Sequence, residues 1–333
     1  MMFRVTTGIA LGLLAIASPQ SAAAQAWLPG QGEGAVSMLY QDLFVKEHFL
    51  AGGGRVDRGH IRTHNVLFDV TYGLTDDLTV TFAVPLVRTR YSGTAPHPGS
   101  LDDRTPHTGF QDLRFGARYK LYDGPVTITP FIGSSVPSHA YEYFAHAAYG
   151  TRVRELEIGS YVARMVGPAL PGAFVQARYS YAFAQKIENV SHNRSSLDVE
   201  VGYFVRPTLR VFVLGAGQKT HGGIDTPDAG WRAMPANLAP HHDRIARLDM
   251  LDVGGGAQLS VTDSLDLFGS LVTTLAGRNA HALSRGITVG ASWGFGKKRT
   301  IGSLGDDAGN LSTDARSANA DGKVLLPRCL CQK

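Results

Sequence analysis

Three groups of side chains in this sequence could do chemistry. Twelve histidines come first, because neutral imidazoles suit zinc, copper or nickel. His221, His241 and His242 fall within one stretch, 220–246, and are the first candidates for a metal-capturing rim. No complete zinc-site spacing is present, and water-exposed polar loops carry histidine without any metal. The second group is Cys329 and Cys331, which could hold a soft metal or join another chain, although two ligands do not fill a tetrahedral site. The body of the chain has no cysteine, so no disulfide framework holds it. The third group is charged residues at even spacing: Asp112, Arg114, Arg118 and Lys120, then Arg178, then Asp198 and Glu200. Such spacing puts charges on one side of an extended strand. Nucleophilic chemistry finds little support. The Gly-x-Ser-x-Gly elbow is absent, and His64 shares its face with Arg62 and Val66 rather than with a serine. No catalytic residue and no cofactor is expected.

The elements that must position these residues are strands. From Gly34 to Phe295 the chain breaks into segments that alternate apolar and polar. In one, Leu78, Val80, Phe82, Val84 and Leu86 oppose Thr79, Thr81, Ala83 and Pro85. Near the end, Ile287, Val289, Ala291, Trp293 and Phe295 oppose Thr288, Gly290, Ser292 and Gly294. The pattern predicts twelve strands, over 34–49, 61–73, 77–90, 109–122, 125–137, 153–167, 172–186, 194–206, 209–219, 247–261, 264–276 and 284–295. Tight turns rich in Gly, Pro and Asp alternate with longer links at 50–60, 91–108, 138–152, 187–193, 220–246 and 277–283. All twelve histidines fall in or near the ends beside the longer links. A soluble β-sandwich also alternates. An even number of strands, each long enough for a tilted span, with short turns on one side and long loops on the other, favours an all-β fold: a transmembrane antiparallel up-and-down β-barrel of about twelve strands, at residues 25–296.

The N-terminus agrees with export. Arg4 precedes an apolar run, Gly8 to Ala17, and then Ala22-Ala23-Ala24, so residues 1–24 read as a cleaved signal peptide. A run of about ten apolar residues is too short to cross a bilayer as a helix. After Phe295 the alternation stops, and residues 297–333 have the composition of a disordered tail, placed in the periplasm. The formal charge of +4 includes no basic run with interleaved aromatics, so nucleic acid is excluded as a partner. The expected location is the outer membrane of a Gram-negative cell, with the turns in the periplasm and the long loops outside.

Once the apolar face is assigned to lipid, the opposite face lines the lumen, because a charge in lipid costs several kcal/mol. Asp112, Arg114, Arg118, Lys120, Arg178, Asp198 and Glu200 become pore-lining candidates. They form either a selective conduit or a lattice of structural ion pairs, in which Arg178 and Glu200 sit at similar heights.

The stretches Tyr72-Gly-Leu-Thr-Asp-Asp-Leu78, Phe82-Ala-Val-Pro-Leu86, Thr108-Gly-Phe-Gln-Asp-Leu-Arg-Phe-Gly-Ala-Arg-Tyr119 and Pro130-Phe-Ile-Gly133 with Val136-Pro137 carry a family resemblance. They cover about a quarter of the chain and resemble the outer-membrane protein family named for the meta-pathway of phenol degradation. The resemblance implies a barrel that passes small, often hydrophobic or aromatic, organic solutes, and it supplies no catalytic residues. The leading expectation is therefore a passive outer-membrane channel for a small organic solute, with lipid as its other partner. A closed binding or structural barrel and an outer-membrane enzyme are the alternatives.

Overall fold

A computed structural model describes residues 26–94 and 96–296. The signal-peptide and tail expectations, with Cys329 and Cys331, lie outside the described residues. The chain forms a closed antiparallel barrel of twelve strands. They are β1 Gly34–Phe49, β2 Arg55–Gly73, β3 Leu78–Ser92, a broken β4, β5 Thr127–Val136, β6 Glu155–Met165, β7 Ala173–Ala184, β8 His192–Arg206, β9 Leu209–Gly222, β10 Asp249–Ser260, β11 Leu265–Arg278 and β12 His281–Phe295. Each strand pairs with its sequence neighbours, and β12 closes on β1 from Gly34 opposite Phe295 to His48 opposite His281.

Alternation decides which way each strand faces. Val36, Met38 and Tyr40 on β1, Phe68, Val70 and Tyr72 on β2, and Leu197, Val199, Val201 and Tyr203 on β8 are exposed, while Ser37, Leu39 and Gln41 are buried. Exposed large apolar side chains recur with the same parity around the wall, which is the signature of a lipid-facing band. At the short-turn end the band closes with exposed Tyr72, Tyr119, Tyr122, Trp293 and Phe295, rings that suit a membrane interface. Toward the other end, Arg62, Arg88, Arg90 and Arg285 replace the apolar outward residues.

β4 departs from a single strand over 109–122. It runs as His107–Phe110, Leu113–Tyr119 and Tyr122–Asp123. The first break lies opposite Pro85 of β3, which has no N–H to donate to the ladder, and the Gln111 N–H donates to the Pro85 carbonyl at 3.0 Å. Between the pairs Ala83–Arg114 and Leu86–Phe110, β4 carries one residue more than β3. This bulge reverses the phase, so that Phe110 and Phe115 both face outward despite their odd spacing.

The links at the second end are less uniform than expected. Several strands extend into them, and the predicted link 277–283 shrinks to Asn279 and Ala280, with Asn279 at φ 46, a left-handed position that asparagine tolerates. Three links stay long, 93–106, 137–154 and 223–248, and they fold inward over the mouth. Their Leu101, Ala145, Ala147 and Ala148 pack on inward-facing Leu43, Val45, Ile61, Tyr91 and Leu283. At the opposite mouth, residues 26–29 enter the barrel. The Thr129 hydroxyl donates to the Ala26 carbonyl at 2.6 Å, and Trp27 meets Phe174 edge-on at 6.4 Å. Gly73 permits this approach, since a Cβ there would lie 2.2 Å from the Gly30 carbonyl oxygen.

Candidate functional site

Between the two mouths lies a cavity of about 470 Å³. Its wall includes Asp112, Arg114, Arg118, Arg178, Asp198 and Glu200, six of the seven candidates from the sequence. The seventh, Lys120, does not reach it. Lys120 falls at the second break of β4, beside the turn, where its ammonium lies 3.1 Å from Asp77 and 3.8 Å from Asp123.

Much of the interior charge is paired across strands. Arg178 donates to Asp198 at 3.0 Å and to Glu157 at 2.5 Å, with its guanidinium 4.9 Å from the Phe131 ring centre. Arg194 binds Glu155, and Arg210 lies 3.5 Å from Glu200. The expected pairing of Arg178 with Glu200 is not formed. In the register of β7 and β8, Arg178 sits opposite Asp198 and Glu200 opposite Gln176. Asp112 occupies the β4 bulge and accepts the Tyr141 hydroxyl from the link 137–154. Burial, and then the facing Asp112 carboxylate, push the Tyr141 phenol up, so it stays a donor. Arg114 and Arg118 share this wall with Asp69, Glu155, Glu157 and Tyr161. Apolar side chains share the cavity, among them Trp27, Leu67, Phe131, Met250 and Val272.

The proposed metal set does not assemble. His221 faces outward on β9, accepts or donates to the Ser195 hydroxyl at 2.7 Å, and stacks on Tyr181. His241 is half-buried against Tyr143, and His242 is fully buried. Sequence reading also missed the Ser195–His221 pair, which joins neighbouring strands on the outer surface. Among the described residues no third side chain hydrogen-bonds to the second nitrogen of His221, so the pair lacks the orienting partner of a hydrolytic triad.

Water-exposed loops do not account for half of the twelve histidines. His48, His97, His146, His192, His242 and His281 are all buried. Five of them gather beneath the inward-folded links. His48 meets His281 at 4.5 Å between ring centres and His146 at 6.1 Å, and His97 meets His146 at 4.3 Å and His242 at 5.4 Å. Asp102 is one hub of this cluster, accepting backbone N–H groups of His97, His146 and Ala147 at 2.9, 3.1 and 2.9 Å. Burial alone would raise the Asp102 carboxyl, but hydrogen bonds from His146 and His97 hold it well below the usual carboxylate range. Burial pushes the His146 imidazole down to about 4 despite Asp102. The only early signal of this cluster was the crowding of histidines at one end of the strands.

Compared with protein-family models and with curated proteins, the chain matches none. Among solved structures, an outer-membrane channel from Pseudomonas putida F1 superimposes with a TM-score of 0.64 at 15% identity, over 83% of this chain and 99% of that one. The NanC porin (TM-score 0.47, 9% identity, 77% of this chain and 98% of that one) and the translocator domain of the autotransporter NalP from Neisseria meningitidis (0.47, 11%, 82% and 92%) lie further away. The fold is thus that of outer-membrane β-barrels.

Proposed function

We propose that this barrel sits in the outer membrane and passes a small organic solute through its interior. The observation that carries this reading is the cavity. Inside a wall whose outward face suits lipid, it combines charged groups with apolar patches such as Leu67, Phe131 and Met250. That mixture suits a solute with an apolar or aromatic body and a polar group, in keeping with the solutes implied by the motifs at 72–86 and 108–137. The long links face outward and the short turns face the periplasm, as in other barrels of this kind. Flux of small organic solutes into liposomes, together with conductance in planar bilayers, tests the proposal. A folded barrel that gives neither sinks it.

One observation favours a second reading, a barrel with a closed lumen. The links 93–106 and 137–154 bury apolar side chains against the inner wall, as a plug does. The same bilayer measurement separates the two readings.

A further inference from the structure

The cluster of histidines under the cap holds a larger set of unpartnered buried polar atoms than a hydrophobic core tolerates. Both ring nitrogens of His48 and of His281, Nε2 of His97, His146 and His242, and both carboxylate oxygens of Asp243 have no hydrogen-bond partner among the described residues. Leaving such groups unsatisfied costs about 1–3 kcal/mol each. Something must therefore offset the cost, and the geometry indicates what. The ring of His242 donates Nδ1–H to the Ala239 carbonyl at 2.7 Å, so in the neutral imidazole Nε2 carries the lone pair. That nitrogen lies 2.9 Å from Asp243 Oδ1 without hydrogen-bond geometry, so with a neutral ring two acceptors face each other in a buried site. A cation between them removes the conflict.

We infer that His97, His242 and Asp243 form a binding site for a divalent transition-metal ion, of which Zn²⁺ is the probe. Their side chains are 0–3% exposed, and their donor atoms lie within 4.8 Å of one another. An ion about 2.0–2.2 Å from each donor joins atoms up to about 4.4 Å apart, so a small side-chain rotation completes the site. Two imidazoles and one carboxylate are a donor set for zinc, and they leave a fourth position open. Asp102 belongs outside the ligands, because its oxygens are already engaged by backbone N–H groups. It contacts His97 Nδ1 at 3.2 Å, the orienting contact that a carboxylate supplies to a ligating histidine through its other nitrogen. The Trp231 ring stacks on both His97 and His242. The ligands come from the links 93–106 and 223–248, so a bound ion staples two parts of the cap together. The site does not depend on whether the interior conducts.

The test uses the full chain folded in detergent and stripped with chelator. Titration with Co²⁺, followed by visible absorption, and with Zn²⁺ by calorimetry should show one ion per chain. His97→Ala and Asp243→Asn should each weaken binding at least about tenfold, and Asp102→Asn should weaken it by about 10–100-fold. His221→Ala, on the outer surface, should leave binding unchanged. X-ray absorption at the zinc edge of the parent protein should count two imidazoles, a reading that needs no variant to fold. A folded parent that binds neither ion overturns the inference. Fewer than two imidazoles on the zinc, or binding lost with His221→Ala and kept with His97→Ala, overturns it equally.

Discussion

At the residue scale, the facing of charges was legible and their partners were not. A period of two puts Asp112, Arg114 and Arg118 opposite Leu113, Phe115 and Tyr119, and the barrel honours that phase. Partner choice depends on register, which the seven-residue link 185–191 sets, and a shift of two residues exchanges Glu200 for Asp198 opposite Arg178. The cap cluster was beyond reach for a different reason, since His97 and His242 meet only when two links fold into one mouth. Arg178 also separates a structural charge from a selective one. Its side chain is 13% exposed and bridges two carboxylates, so Arg178→Ala leaves Glu157 and Asp198 facing each other unpaired. The expected result is a loss of about 1.5–3 kcal/mol, the range for hydrogen bonds to charged groups, read from urea unfolding in detergent. Arg114→Glu reverses one charge on the cavity wall. In planar bilayers, its reversal potential under a salt gradient should shift toward cation preference relative to the parent.

At the element scale, strand existence followed from alternation, and the surprises came where the backbone had a reason to break. Pro85 was visible on the inward phase of β3, but its consequence falls on the neighbouring strand, where the bulge carries Asp112 to Tyr141. Segment 26–29 gave no alternation to read, yet Ala26 is wholly buried and Trp27 borders the cavity. This segment narrows the short-turn mouth, as the links 93–106 and 137–154 narrow the other. If the interior conducts, Trp27→Ala should raise single-channel conductance while melting of the barrel, followed by heat-dependent gel migration, stays close to the parent's. An unchanged conductance with the fold intact would place the constriction at the cap, and deletion of 141–148 should then raise it.

At the scale of the whole molecule, the two faces of one sheet must meet two solvents, and a single property, the parity of each residue along its strand, decides which. Val213 and Gln218 lie on the same strand, five residues apart. Val213 is 62% exposed on the outward face, and Gln218 borders the cavity. In a water-soluble sandwich, arginine at an exposed position such as 213 would cost almost nothing. In a barrel surrounded by lipid, the same side chain must leave water, at about 2–4 kcal/mol near the bilayer midplane and less toward either interface. Val213→Arg should therefore lower the folding free energy in lipid vesicles by an amount in that range, whereas Gln218→Arg, which keeps its charge in the polar interior, should lower it far less. Reversible urea titrations of both variants, followed by tryptophan fluorescence, read the difference directly. Equal and small losses would mean that the exposed apolar band meets no lipid, and the barrel would then need a different environment from the one its two-faced strands describe.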